Sequence, residues 1–175
     1  MSTRGAVGFV VDGEEKITYN HFDSYPECLG LNTLGIVNEL AQDIPKTFNL
    51  AKNIEMIASD DPASDDLHAI EGELDKYLVS GKMVDNKSFM LDSLFCEWAY
   101  LMNLDTNMFE IYRGFNTTPN EILGRYATKQ AAKYSDADYD NEYYGVILVK
   151  EYRLDNLPSD VDFLNDLTPQ DEDDQ

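Results

Sequence analysis

Residues that can transfer protons or bind anions are grouped near the start of the chain. Arg4 precedes a Gly-containing apolar run, and Tyr19, His21 and Asp23 stand at alternate positions in the next β-prone run. A histidine oriented by a carboxylate is the usual arrangement of a general base or of a metal ligand. The spacing predicts a small pocket formed by Arg4, Tyr19, His21 and Asp23. The alternative is structural: Asp23 and Ser24 make local backbone hydrogen bonds, while the following Tyr-Pro pair packs the turn.

Ser2 offers a second kind of chemistry. Removal of Met1 is expected because the next residue is small, and it leaves a free α-amino group beside the Ser2 hydroxyl. An α-amino group, with an ordinary pKa of about 8, can act as the base for such a hydroxyl. Arg4 would orient an anionic substrate, and Asn20 or a backbone amide would stabilise an oxyanion. The alternative is that residues 2 and 3 are simply a frayed start.

The two runs that carry these residues form a predicted hairpin. Residues 5–11 and 16–22 are β-prone and flank the turn signal Asp12-Gly13. Whether the loop has two residues or four, alternation places even-numbered residues 4–10 on the same face as odd-numbered residues 17–23. One end of that face collects the predicted site. Its catalytic residues are Ser2, Arg4, His21 and Asp23, and its substrate-binding residues are Tyr19, Asn20 and Tyr25.

The rest of the chain has the pattern of an α+β domain. Helical periodicity over residues 31–44, 48–57 and 67–78 predicts three helices, the last closed by Gly81. A second hairpin follows across residues 105–107, and its predicted register puts Trp98, Tyr100, Met102 and Tyr112 on one face. A short helix from 119 to about 132 and a buried strand over residues 143–153 complete the pattern.

This order predicts an antiparallel sheet built from two hairpins plus a C-terminal strand, with helices packed on it. Residues 1–167 would form a single α+β domain. Residues 168–175 are almost wholly acidic and are predicted to be a disordered tail.

An excess of acidic residues limits the partners. The chain has 175 residues, of which 34 are acidic and 13 are Lys or Arg, for a net charge of −21. This charge opposes direct binding to nucleic acid or to an anionic membrane surface. Carboxylates over residues 60–75, 136–142 and 155–175 could instead imitate a phosphate array and occupy the nucleic-acid-binding groove of a basic protein. A second hypothesis is therefore a non-enzymatic acidic inhibitor of a host defence or nucleic-acid-binding protein.

Cysteine, histidine and loop patterns predict no metal and no cofactor. Cys28 and Cys96 are far apart and match neither a zinc site nor a disulfide framework. His68 lies in an acidic helical segment that is expected to be exposed, so a multi-histidine metal centre is not predicted. The acidic loop 136–142 lacks the Gly and Glu that the EF-hand pattern requires at its sixth and twelfth positions. The absence of an apolar leader or membrane segment predicts a cytoplasmic location.

The opening STRGAVGF resembles the first strand of class II glutamine amidotransferases and other Ntn hydrolases, in which a nucleophile precedes a Gly-rich apolar strand. Those amidotransferases use a cysteine, so Ser2 would be a different nucleophile here. Their later Arg-Gly and Asn-Gly substrate motifs have no clear counterpart in the chain. The resemblance implies an (amido)hydrolase activity and the four-layer Ntn arrangement as one form of the α+β fold.

The whole beginning of the chain, MSTR followed by YNHFDSYP and the Leu29-Gly30 pair, resembles a family of small uncharacterised proteins of bacteriophages and bacteria. The similarity extends to CEWAYLMNLD and FEIYRGF and so covers both hairpins. It implies a phage source and the host cytoplasm, and it assigns no catalysis. The first hypothesis is thus a phage-type protein with a pocket for a small-molecule ligand, hydrolase-like at Ser2. The second remains the acidic inhibitor, whose partner is a basic host protein.

Overall fold

Five strands form the main sheet of the molecule. The computed structural model describes residues 3–130 and 142–168. The strands of the main sheet are β1 (Gly5–Val11), β2 (Glu14–Asn20), β5 (Trp98–Asn103), β6 (Met108–Arg113) and β7 (Ile147–Arg153). They lie in the order β2-β1-β5-β6-β7. Two shorter strands, β3 (Glu55–Ile57) and β4 (Lys82–Val84), pair in parallel as a separate sheet.

The N-terminal hairpin forms, with a two-residue loop and with its second strand at Glu14–Asn20 instead of the predicted residues 16–22. Asp12 and Gly13 both have positive φ, 52° and 76°, as a type I′ turn requires. The register pairs Ala6 with Tyr19 and Gly8 with Ile17. These pairs share a face because residues directly opposite in a sheet point to the same side. The predicted alternation of the hairpin is confirmed.

The two hairpins join through a parallel pair of strands. β1 and β5 run in the same direction, whereas β1–β2, β5–β6 and β6–β7 are antiparallel. The sheet is therefore mostly antiparallel, with one parallel pair that the sequence pattern does not predict. The arrangement brings the starts of β1 and β5 and the ends of β2 and β6 to one end of the sheet. That end carries the predicted site.

The second hairpin differs from its predicted register by one residue. Asn103 pairs with Met108, so the loop has four residues, 104–107, and Tyr112 pairs with Ala99. The prediction that Tyr112 shares a face with Trp98 and Tyr100 is therefore wrong. A shift of one residue moves every side chain of a strand to the other face.

Helices cover one face of the sheet, as predicted. They are α1 (Leu31–Leu40), α2 (Ile44–Lys52), α4 (Leu74–Ser80) and α5 (Asp160–Leu167), and a single turn, α3 (Ser64–Leu67), precedes α4. Their apolar side chains pack with those of the central strands in one cluster, which includes Phe9, Leu34, Tyr100 and Phe163. The opposite face is covered by side chains from irregular segments, among them Met90, Tyr126 and Val146.

Several predicted helices are shorter than the periodicity indicated. α2 ends at Lys52, and residues 55–57 form β3 instead of continuing the helix. Gly72, with φ of 81°, separates α3 from α4. Between residues 119 and 130 the helical structure is one 3₁₀ turn, Glu121–Leu123.

The C-terminal part also differs from the sequence pattern. β7 is an edge strand with three exposed residues at its centre, so the prediction of a buried strand is wrong. α5 was not indicated by the sequence pattern, although Ser159 caps it by accepting from the Asp162 backbone N–H at 3.2 Å. The acidic loop 131–141 and most of the acidic tail, 169–175, lie outside the described residues.

Apart from the five-stranded sheet, residues 3–130 and 142–168 form only the two-stranded β3–β4 sheet. They show no second large sheet of the kind that the four-layer Ntn arrangement contains. In the same residues, no helix combines the length and apolar character needed to cross a bilayer.

Candidate functional site

Tyr19 and His21 are in direct contact at the end of β2. The Tyr19 hydroxyl lies 2.6 Å from Nδ1 of His21, and both side chains are half-buried. Burial raises the pKa of Tyr19 above its ordinary value; the positive charge of Arg4 opposes this rise, and the negative charge of Glu71 adds to it. Tyr19 therefore keeps its proton at neutral pH and can donate it to the imidazole nitrogen. Two of the predicted residues, Tyr19 and His21, are in contact, whereas the Arg4 guanidinium lies over the Phe95 ring.

Glu71 completes this group, and sequence reasoning did not identify it. One of its carboxylate oxygens, Oε1, accepts a hydrogen bond from the His21 backbone N–H at 3.0 Å. Glu71 lies fifty positions along the chain, directly before Gly72, in the link between α3 and α4. No local pattern could pair it with β2, because the contact exists only once the helices pack on the sheet.

Asp23 does not reach the His21 ring. It is exposed and has φ of 51°, a left-handed conformation that Asp tolerates better than most residues. Its backbone carbonyl accepts from the Leu29 N–H at 3.1 Å. No hydrogen bond or ion pair joins its carboxylate to another residue in the described part of the chain. Glu71 is therefore a carboxylate that does contact His21, and it binds the backbone N–H of that residue.

Asn20 has a structural role in this arrangement. It is buried, and its Nδ2 donates to the Phe22 carbonyl at 2.7 Å and to Ser24 Oγ at 2.9 Å. Ser24 is also held by neighbours, since its carbonyl accepts from the Tyr100 hydroxyl at 2.8 Å. The amide is therefore committed to the turn, and an oxyanion would have to displace these bonds.

Tyr25 starts a π-helical turn and lies at the surface. Its carbonyl accepts from the N–H groups of Cys28 and Gly30, both at 3.1 Å, and its side chain is exposed. Ser2, the predicted nucleophile, lies outside the described residues, as does most of the acidic loop 136–142. Thr3, the first described residue, is buried.

Two depressions lie on either side of Glu71. The first, here named the β2 pocket, has a volume of about 180 Å³ and runs between β2 and the α3–α4 segment. The second, the Asp23 groove, is a more open depression of about 190 Å³. The groove is lined by residues that include Asn20, Phe22, Asp23 and Cys28. Glu71 lines both depressions and is the residue that they share.

The β2 pocket combines aromatic walls with few charged groups. Its lining residues include Thr18, Tyr19, Ser64, Leu67, His68, Glu71, Tyr77 and Asn86. Among the described lining residues, Glu71 is the one carboxylate and His68 the one imidazole. His68 is exposed, as predicted, and it contributes to this pocket, which the sequence did not indicate. The pocket therefore offers one negative charge next to two phenols.

Asn86 holds the edge strand β2 in place. Asn86 Oδ1 accepts from the Tyr19 N–H at 3.1 Å and lies 3.3 Å from Thr18 Oγ1.

Burial raises the pKa of Tyr77 to about 12, against the opposing effects of hydrogen bonds to the Gly72 backbone and to Thr18. The phenol of Tyr77 is therefore neutral at physiological pH, and the pocket wall carries no second negative charge.

In residues 3–130 and 142–168, no group of three or more His, Cys, Asp or Glu side chains is placed to hold a metal ion. Cys28 is exposed, Cys96 is buried, and both are free thiols.

Comparisons with protein-family models, with curated proteins and with solved structures found no match to this chain. The resemblances to phage proteins and to Ntn hydrolases therefore stay predictions.

Proposed function

We propose that the protein binds a small cationic ligand in the β2 pocket. The observation that supports this proposal is the placement of Glu71 beside Tyr19 and Tyr77 in one depression. A carboxylate next to aromatic rings is a common way to hold an ammonium or guanidinium group, because both the charge and the ring faces attract a cation. The volume of about 180 Å³ suits a ligand of a few heavy atoms.

The charge of the whole chain favours the same class of ligand. A net charge of −21 attracts small cations and raises their concentration near the surface. An anionic substrate, as the hydrolase hypothesis would need, meets the opposite field. Binding is therefore proposed here in preference to hydrolysis at Ser2, which lies outside the described residues.

The test is a titration of the full chain with agmatine and with three simpler probes, butylamine, butanol and butyrate. Calorimetry measures binding, and NMR chemical shifts of Tyr19 and His68 report whether the probe enters the pocket. The amines should bind, and the neutral and anionic probes should not. Glu71→Gln should weaken amine binding by at least about tenfold, because a hydrogen bond to a charged group contributes about 1.5–3 kcal/mol. The glutamine retains an oxygen that can accept from the His21 N–H, so the fold should persist.

Glu73→Gln is the matched control. Glu73 lines the Asp23 groove and not the β2 pocket, and it forms a surface ion pair with Lys76 at 2.9 Å. This variant removes the same charge and should bind amines like the unmodified protein. Equal binding of butanol and butylamine, or an equal loss in both variants, would overturn the proposal.

A second candidate function is binding to a basic protein, as the acidic inhibitor hypothesis states. The observation in its favour is the set of exposed carboxylates on the α3 segment, Asp60, Asp65 and Asp66, which form no ion pair with another described residue. These unpaired negative charges repel one another in the folded chain, and a cationic partner can relieve that repulsion by binding to them.

An oligolysine peptide is the probe for this function. Binding should weaken steeply as salt rises, and neutralising Asp60, Asp65 and Asp66 to Asn should weaken it further. Binding that does not depend on salt would contradict it.

A further inference from the structure

The Asp23 groove contains a hydrogen-bond acceptor that has no donor. Asn20 lines the groove and is only 6% exposed, and its Nδ2 donates to the Phe22 carbonyl at 2.7 Å and to Ser24 Oγ at 2.9 Å. Because a carbonyl can only accept, the bond to Phe22 identifies the nitrogen and leaves Oδ1 as the other amide atom. Within the part of the chain that the structure describes, no group donates to Oδ1. A buried amide oxygen without a donor is costly, so a donor from outside the chain is expected.

This oxygen is accessible from the groove. Among the described residues, the unpartnered side-chain atoms that are sealed from solvent belong to Thr33 and Tyr112, and Asn20 Oδ1 is not one of them. Gly72 also lines the groove, and a Cβ at that position would lie 2.7 Å from Oδ1. The φ of Gly72 is 81°, a conformation that glycine adopts readily. The missing side chain therefore leaves Oδ1 uncovered.

The charged groups of the groove are carboxylates. Its described lining residues include Asp23, Glu71 and Glu73, and they include no Lys or Arg. Two of the carboxylates have partners, since Glu71 accepts from the His21 N–H at 3.0 Å and Glu73 pairs with Lys76 at 2.9 Å. The Asp23 carboxylate forms no ion pair with another described residue. A group that carries positive charge and N–H donors matches both the free carboxylate and the free amide oxygen.

We propose that the Asp23 groove is a second site for a primary ammonium group, which donates to Asn20 Oδ1 and pairs with the Asp23 carboxylate. Both residues line one depression of about 190 Å³, and an ammonium group has three N–H donors with which to reach them. The site goes beyond the proposed function, because neither Asn20 nor Asp23 lines the β2 pocket. Small amines and lysine side chains present the same group.

The test is an NMR titration of the full chain with methylammonium, in which the side-chain amide of Asn20 and the backbone amide of Gly72 report on the groove. Hydrogen bonding to Oδ1 should shift the Asn20 Nδ2 resonance in a saturable way. Tetramethylammonium has the same charge but no N–H donor, so it should leave this resonance unchanged. Equal shifts with both cations would show only attraction to an acidic surface, and no shift with either would show that water alone satisfies Oδ1. Either result would overturn the proposal.

Asp23→Asn removes the free carboxylate. Asp23 is exposed, and asparagine tolerates its left-handed φ of 51°, so the fold should persist. The variant should weaken methylammonium binding in the groove about threefold to fivefold, which is the contribution of an exposed ion pair. Glu55→Gln is the matched control, because Glu55 is exposed on β3 and lines neither depression. An equal affinity of the parent and of Asp23→Asn would count against the site.

Two further ligands distinguish the sources of the ammonium group. A lysine blocked at both its amino and carboxyl ends should bind more tightly than butylamine if the groove receives a protein side chain, and less tightly if it receives a free amine. The resonances of Tyr19 and His68 report on the β2 pocket in the same titrations. Shifts at those residues but not at Asn20 would overturn the second site and leave the proposed function in place. Shifts at Asn20 alone would support the second site and remove the proposed function.

Discussion

Lys16 is a charged residue whose location the sequence pattern does not reveal. It lies opposite Phe9 in the N-terminal hairpin, and its side chain is only 3% exposed. Its Nζ donates to the carbonyls of Lys52 at 2.7 Å and Ile54 at 2.6 Å, which stand at the end of α2. A cation at this position satisfies orphan carbonyls and complements the negative end of the helix dipole. Lys16 binds where α2 ends, although the apolar periodicity predicts that the helix continues to residue 57.

Replacing Lys16 by Met should lower the free energy of unfolding by about 2 kcal/mol. The buried hydrogen bond to the Ile54 carbonyl and the part-buried one to the Lys52 carbonyl would be lost, and a buried acceptor without a donor costs about 1–3 kcal/mol. The gain from no longer burying an ammonium group would offset part of this loss. Lys52→Met is the control, because Lys52 is exposed and pairs with Asp12 at 3.5 Å on the surface. Urea denaturation of both variants measures the difference. Equal shifts in the two would show that the buried contacts contribute nothing specific.

In the candidate site, contacts between residues close in sequence could be predicted, and contacts between distant residues could not. Tyr19 and His21 could be paired from the sequence, since alternate residues of one strand share a face. Glu71 and Asn86 could not be placed in this way. Glu71 is 50 positions from His21 and Asn86 is 67 positions from Tyr19, so both contacts arise only from tertiary packing. The same alternation predicts that Asp23 joins this site, but alternation fails after the strand ends, where Asp23 turns the chain with a positive φ.

At the scale of elements, loop length determined whether the predicted faces of each hairpin were correct. The Asp12-Gly13 signal predicts a loop of two or four residues, and both lengths place the same residues on one face, so the alternation of the first hairpin followed from the sequence although the two-residue loop did not. The second hairpin has a four-residue loop, in which Asn103 Oδ1 accepts from the N–H groups of Asp105 and Thr106, both at 3.1 Å. Nothing in the residue types separates a loop of three from one of four. Strands of three residues, such as β3 and β4, are too short to show alternation, so the apolar spacing up to residue 57 predicts a helix where β3 forms.

The two hairpin loops are joined by Asp105. Its carboxylate oxygens accept from the backbone N–H groups of Asp12, at 2.7 Å, and of Gly13, at 2.9 Å. This contact fixes the β1–β2 loop against the β5–β6 loop, at the end of the sheet opposite to the candidate site. It also supports the parallel β1–β5 pair, which has no connecting turn of its own.

Asp105→Ala should accelerate hydrogen exchange at the Asp12 and Gly13 amides and lower the free energy of unfolding by about 1 kcal/mol. The loss is modest because the loops are exposed and water can replace the acceptor. Asp155→Ala removes an equal charge from a surface pair with Arg153 and should leave exchange in the first hairpin unchanged. If Asp105→Ala exchanged like the parent at both amides, the carboxylate would not be holding the loops together.

At the scale of the whole molecule, buried phenols accompany a surface of high negative charge. Burial raises the pKa values of Tyr77, Tyr100, Tyr112, Tyr126 and Tyr152 above the ordinary value for tyrosine. Composition alone gives the charge and the number of tyrosines, but not which of them are inside, because that depends on the register of β6 and on the segments that cover each face.

These phenols make stability depend on alkaline pH. A tyrosine in the unfolded chain releases its proton near pH 10, whereas Tyr77 in the folded chain does so at about 12. A folded pKa above the unfolded one means that the stabilisation is complete below about pH 10 and is lost as pH rises through the folded value. Deprotonation also adds to the existing net charge of −21 and so increases self-repulsion.

The urea midpoint should therefore fall steadily between pH 10 and about 12, and tyrosinate absorbance should appear together with the loss of circular dichroism. Tyr77→Phe removes one of the raised phenols and should make the fall with pH less steep, even if the variant is less stable at neutral pH. Full tyrosine ionisation at pH 10 in a chain that keeps its circular dichroism would show that these phenols are not sequestered from water.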